Sequence, residues 1–424
     1  MIILLVFVLV KSLIWTFSVP IFQTPDEQAH FAQLQWYAEK KNLDIDGEKN
    51  LSLEIATAEE ILGTRRDGQG NNKFTYHPEY KDNSPIPNLP KETRTVYVDR
   101  EAAGYPPLYY LLSLPFYNAV YDHGLTDRIM VSRILSVIFH LLLVICAYFI
   151  GKTIWEDKLK SLALATLVGF QPMVSYVAAG LHPDNLLNLI YSLGLLVCLL
   201  ILKNGVKIKY LFFLALLFYA GFQTKILIVF LLPVIASVVL NNYLILAIPI
   251  IAFIFQWSIP YMPANTAGGI SFIDYVKFRL PKLFFEIWPW FWGVFKWLGV
   301  TLPPLVLKII TRISIISAIG IFIRLFKQKD FEHKAIIFFL LSTFSFIIYL
   351  CLWDWRLMQS LGYSQGLQGR YLFPNIVPIM ALLLIGLSQL GKLIRQERLV
   401  LVLVSFSIIT LNLLSLLLIH QIYY

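Results

Sequence analysis

The chain has 424 residues, 58% of them hydrophobic, 15% aromatic and 14% charged, with a mean hydropathy of +0.67. No soluble domain can bury that much apolar surface, so composition predicts an all-α polytopic membrane protein. The net charge of +9 lies in short loops between apolar spans, which argues for membrane orientation and against a nucleic-acid partner.

Residues 1–21 form the first apolar run. It has no basic leader and no small-x-small cleavage motif, and Lys11 interrupts it, so it reads as a retained helix. Lys11 either snorkels or faces the protein interior. Further runs of about 17–25 residues fall near 128–151, 160–179, 185–203, 243–260, 301–323, 335–353, 371–391 and 399–420. The stretch 208–241 is broken by Gly221, Gln223, Thr224 and Lys225 and is read as two helices meeting at a polar turn. The expectation is eleven spans in a single domain, 1–424, with no internal repeat. Cys146, Cys198 and Cys351 lie inside apolar runs and give neither a metal spacing nor a disulfide framework.

Placing the N-terminus in the cytoplasm puts Lys152, Lys158, Lys160, Lys203, Lys207, Lys209, Arg324, Lys327, Lys329, Lys334, Lys392, Arg395 and Arg398 in inner loops, as the positive-inside rule requires. The loop 22–127 is then extracytoplasmic, and its 23–105 portion carries fifteen acids against ten bases. It opens with a helical repeat of Phe31, Leu34 and Ala38. Its middle, 44–100, contains Gly63, Gly68, Gly70 and a Pro cluster at 85, 87 and 90, and reads as a poorly structured flap. Its end, from Tyr105-Pro106-Pro107-Leu108-Tyr109-Tyr110 to Tyr121, reads as a helix lying in the membrane interface.

Two acidic tips stand at the mouths of apolar spans, Asp26-Glu27 with His30 just after the first span, and His182-Pro183-Asp184 later. Each acid could be a plain helix cap. Capping does not explain why both open onto the same aqueous face, where a carboxylate could take a proton from an attacking hydroxyl. A second acid could position the acceptor or hold a divalent cation, and Asp26, Glu27 and His30 are a weak metal set that the sequence allows without requiring. The cationic side is led by Arg370, between flexible Gly366 and Gly369 and the aromatic Tyr371, where Arg can grip phosphate with both nitrogens. Lys225 and Arg133 read by default as snorkelling anchors, with Arg356 a further cation. The segment Pro281–Trp297, with four tryptophans and Glu286, is either an interfacial aromatic belt or a wall for an isoprenoid tail.

The ordered set PDEQAH, YPPLYY, HPDNLLN and QGRYLFP resembles the GT-C superfamily of membrane glycosyltransferases, nearest to a bacterial branch described as the DUF2142 predicted membrane proteins. That resemblance implies a GT-C-like bundle with a large first extracytoplasmic loop carrying interfacial helices. It further implies transfer of a sugar from a polyprenyl-phosphate donor to a glycan, lipid or protein acceptor at the outer face of the cell membrane. Asp26 would be the general base, with Glu27 beside it and Asp184 as the second acid. Arg370 and Tyr371 would meet the donor phosphate, with His30, Tyr105, His182 and Lys225 as further substrate contacts. The competing expectations are a lipid-linked glycan transporter, which Lys11, Lys308 and Arg312 keep open, and a non-catalytic assembly subunit.

Overall fold

The computed structural model describes residues 1–43, 49–65, 85–101, 105–254, 270–296, 298–327, 329–361 and 367–424. Gly68, Gly70, Trp297, Gly366 and the end of the 243–260 run lie outside them. Among the described residues the fold is all-α apart from two short antiparallel pairs, Leu51–Ser52 with Tyr97–Asp99 and Val294–Phe295 with Val300–Thr301.

Among the described residues, six helices are long and apolar enough to cross a membrane: Leu125–Trp155, Asp184–Asn204, Pro304–Leu325, Phe331–Ser360, Gly369–Leu393 and Glu397–Tyr423. A seventh crossing is made if the bent pair Lys158–Gly169 and Pro172–Ala178 counts as one span. Its 59° bend has a local cause. Pro172 has no N–H to continue the first helix, and the Gln171 side chain caps the second by accepting from Val174 N at 2.5 Å. The other expected spans are shorter apolar helices, Ile2–Ser18, Ile208–Phe222, Ile226–Val239 and Tyr243–Ala252.

The bend leaves carbonyls that polar side chains of neighbouring helices satisfy, and this decides the orientation of Lys11. It faces inward, donating to Ser175 Oγ at 2.9 Å and standing 3.2 Å from His140 Nε2. His140 also lies 3.1 Å from Gly169 O, while Asn412 donates to Phe170 O and Ser175 Oγ.

The described part of the 22–127 loop corrects the expectation of an unstructured flap there, while residues 44–48 and 66–84 of the 44–100 stretch lie outside the described residues. Its described portion holds the helix Leu53–Leu62, capped by Ser52 Oγ accepting from Ile55 N, and the strand pair that closes over it. The polar composition hid this because the acids are paired internally. Glu54, 3% exposed, accepts from Arg128 and from Gln35 Nε2 at 2.7 Å, with Arg94 beside it. The helix Glu27–Lys40 is buried all round from Glu27 to Tyr37, its glutamines and His30 included. Leu108–Ala119 presents Leu111 and Leu112 outward and buries Tyr109, Tyr110 and Tyr117.

Candidate active site

The Glu27–Lys40 helix begins at a residue with unusual backbone geometry. Asp26 occupies the N-cap with φ 58°, in the left-handed region, and its side chain makes no cap hydrogen bond. That conformation is uncommon outside glycine, and Asp is one of the few residues that tolerates it. Asp184 likewise starts its helix without capping it. The capping explanation therefore fails for both acids, because each carboxylate is committed to a cation from elsewhere in the chain.

Arg370 Nη2 donates to Asp26 Oδ2 at 2.5 Å, and Arg370 Nη1 lies 3.2 Å from His182 Nε2. Lys225 Nζ donates to Asp184 Oδ1 at 2.5 Å. His182 joins the two pairs, with Nδ1 3.5 Å from Asp184 Oδ2 and Nε2 4.0 Å from Asp26 Oδ2. Its Nδ1 also accepts from Asp184 N at 3.0 Å. Around this core His30 meets His182 edge-on at 4.4 Å and Tyr105 at 5.0 Å. The Tyr371 ring lies 5.4 Å from the Arg370 guanidinium and 5.9 Å from the Lys225 ammonium. Eight of the nine residues singled out from sequence thus converge, drawn from five separated stretches of chain.

Glu27 is the exception. Its carboxylate is fully buried and accepts from Arg133 Nε at 2.7 Å, Arg133 Nη2 at 2.6 Å, Phe22 N at 2.8 Å and Leu181 N at 3.0 Å. Arg133 spends its remaining donors on the carbonyls of Thr16, Val19 and Pro20. This pair ties the end of the first apolar helix, the start of the loop and the Leu181–Asp184 turn together. The assignment of Glu27 beside Asp26 in catalysis is corrected: its oxygens are consumed by a structural lock. The snorkelling reading of Arg133 and Lys225 is corrected too, since both point inward onto carboxylates.

Two glycines draw these loops together. A Cβ on Gly180 would stand 1.9 Å from Thr24 Oγ1, and one on Gly369 would stand 2.1 Å from Phe291 N. Gly369, read from sequence as a flexible neighbour of Arg370, is a point of close approach to the Trp290–Phe291 backbone. That contact seats Arg370 against the aromatic segment, where Phe291 packs on Phe373 at 5.7 Å. Sequence reading missed Tyr109 and Tyr110, although both lie in the YPPLYY motif. Tyr110 Oη is 2.8 Å from His30 Nδ1, and Tyr109 Oη accepts from His182 N at 2.9 Å.

Exposure within the cluster is graded. The Asp26 side chain is 28% exposed, against 2% for His182, 4% for Arg370, 6% for Asp184 and 15% for Lys225. Asp26 is thus the group that a solvent-borne molecule meets first. Burial holds the pKa of both His30 and His182 below the ordinary range despite the nearby carboxylates, so both rings are neutral at pH 7. The metal reading of Asp26, Glu27 and His30 meets the same geometry: their acids are bound to Arg370 and Arg133. Among the described residues no group of three or more His, Cys, Asp or Glu is arranged around a common metal position.

A family model matches residues 9–380, most of the chain and every element of this cluster. The chain belongs to the DUF2142 family of predicted membrane proteins. No curated protein and no solved structure matches it. Membership agrees with the several apolar helices above that are long enough to cross a membrane.

Proposed function

We propose that this DUF2142 protein is a glycosyltransferase of GT-C type, moving a sugar from a polyprenyl-phosphate donor to a glycan, lipid or protein acceptor on the extracytoplasmic side. The observation that carries this reading is the exposed Asp26 carboxylate held by the buried Arg370, with the Asp184–Lys225 pair joined to it through His182. In this reading the four shorter apolar helices also cross, giving eleven spans. The N-terminus is then cytoplasmic and the cluster faces the bacterial cell envelope.

The chemistry follows from charge. A donor phosphate competes with Asp26 for Arg370, which frees the carboxylate at the solvent mouth. Asp26 then takes the proton of the acceptor hydroxyl as its oxygen attacks the anomeric carbon. The bond from that carbon to the phosphate oxygen breaks, and the lipid phosphate leaves with the electron pair. Arg370 and Lys225 meet the charge that grows on it, in a site dry enough for the attraction to count. Asp184 keeps Lys225 in place, and His182, bound to both halves, holds their spacing.

A place for the tail supports the same reading. An apolar cavity of about 360 Å³ lies between Pro304–Leu325, Ile376–Leu393 and Glu397–Tyr423. Trp292 lines it, and the adjacent Phe291 is the residue against which Gly369 packs, so the aromatic segment touches both the cavity and the Arg370 segment. The transporter reading draws less support. Lys308 and Arg312 are exposed on the outside of their helix, and Lys11 is held by Ser175 and His140.

The direct test incubates the purified protein with a panel of polyprenyl-phosphate sugars and follows donor consumption, with Asp26→Asn as control. No consumption of any donor with a range of acceptors present, or undiminished consumption by the variant, would overturn the assignment.

A further inference from the structure

Arg356 lies outside everything assigned above. It sits near the outer end of the Phe331–Leu361 helix and is 4% exposed. Among the described residues every other buried arginine reaches a carboxylate: Arg94 and Arg128 on Glu54, Arg133 on Glu27, Arg279 on Asp354, Arg324 on Asp330 and Arg370 on Asp26. Among the described residues Arg356 finds no hydrogen-bond or ion-pair partner, and its Nε is fully buried without an acceptor. Its contact is the Trp355 ring at 5.7 Å.

A cation–π contact of this kind contributes up to about 2 kcal/mol, whereas an unpaired buried charge costs several kcal/mol. The nearby acid cannot help, because Asp354 is held by Arg279 at 2.6 Å and accepts from Tyr275 Oη at 2.8 Å. The position then indicates what the guanidinium serves. At about 1.5 Å per residue, Arg356 stands roughly 38 Å along its helix, beyond the ~30 Å hydrocarbon core. Trp355 donates to Ile270 O at 2.9 Å, tying this end to the Phe272–Lys282 helix. That helix presents exposed Ile273 and Phe278 beside exposed Lys277, the pattern of a segment seated among lipid headgroups.

We propose that Arg356 binds the phosphate of an outer-leaflet membrane lipid, at a site separate from the Asp26–Arg370 cluster. A phosphate offers the paired oxygens that a guanidinium fork engages. The lipid's chains would run beside the Phe272–Lys282 helix, holding it to the bundle. This site does not depend on the transferase reading.

The test uses the full chain purified in a neutral detergent, with phosphatidylglycerol, diacylglycerol of the same chains, and inorganic phosphate as probes. Native mass spectrometry and thermal unfolding report binding. Wild-type protein should hold phosphatidylglycerol about tenfold or more tighter than Arg356→Gln, as expected for losing a charge-assisted hydrogen bond. Diacylglycerol should not distinguish the two. Arg370→Gln should keep the phosphatidylglycerol site, which separates this proposal from the fate of the transferase reading. Arg356→Leu should lose the melting-temperature rise that phosphatidylglycerol gives the wild type. Equal phosphatidylglycerol binding by wild type and Arg356→Gln would overturn the proposal, as would loss of binding in Arg370→Gln alone. Inorganic phosphate that stabilises as well as the lipid would overturn the lipid assignment. Should both Arg356 variants fail to fold, the wild type decides: phosphatidylglycerol must stabilise it more than diacylglycerol does.

Discussion

Adjacent acids with opposite duties give the sharpest prediction, Glu27→Gln set against Asp26→Asn. Glu27 accepts four hydrogen bonds in a fully buried site, two of them from a fully buried Arg133. Glutamine keeps the shape but removes the charge, leaving a buried guanidinium with only carbonyl partners. Breaking such a pair costs about 3–5 kcal/mol, or roughly two to four decades in the folding equilibrium. Asp26 is more than a quarter exposed and sits in the left-handed region, which asparagine accepts as readily. Its replacement takes the charge from the buried Arg370 but leaves an amide oxygen that still accepts from it at a solvent-open position, so it should cost about 1–3 kcal/mol, less than the Glu27 lock, while turnover falls by about 10²- to 10⁴-fold, the usual share of a general base. Both quantities come from one set of preparations: detergent-induced unfolding followed by tryptophan fluorescence, and consumption of a polyprenyl-phosphate sugar. If Glu27→Gln folded normally yet lost turnover, the structural role assigned to that residue would be wrong.

Three further outcomes follow from the geometry. Gly369→Ala puts a methyl 2.1 Å from the Phe291 backbone nitrogen, so the Arg370 segment must shift; a loss of about 1–3 kcal/mol, with weaker donor binding, should show in unfolding curves and KM. Lys225→Met should lower kcat and kcat/KM about tenfold or more, as for a group that meets charge growing on the leaving phosphate, and Lys225→Arg should recover most of it; an unchanged kcat would contradict this. Burial depresses the His30 and His182 pKa values in the folded state. The unfolded chain therefore takes up protons first, and the stability these rings contribute is present above their usual pKa of about 6.5 and lost as pH falls below it. Unfolding midpoints between pH 8 and 5 should decline on the acid side, less steeply in His182→Asn, and a rise would refute the burial argument.

Much of this protein was readable from residue order. Composition is one-dimensional information, and a chain this apolar has no folded alternative outside a membrane, so the helical class and the approximate positions of its spans follow directly. The four motifs also marked the residues that come together, because acids and arginines at span mouths are costly to keep there without partners.

Pairing was not readable, since it depends on which side chains meet across a hundred residues or more. Asp26 and Glu27 are neighbours in sequence and look equivalent, yet the left-handed turn at Asp26 sends one carboxylate to Arg370 and the other to Arg133. Lys225 and Arg133 resembled surface anchors until the fold supplied the acids they face. The order within the outer loop was hidden for the same reason: Glu54 is merely polar in the sequence, and becomes a core residue only when Arg128 of a distant helix neutralises it. Local composition sets the cost of burying a charge, whereas tertiary contact alone determines whether that cost is met.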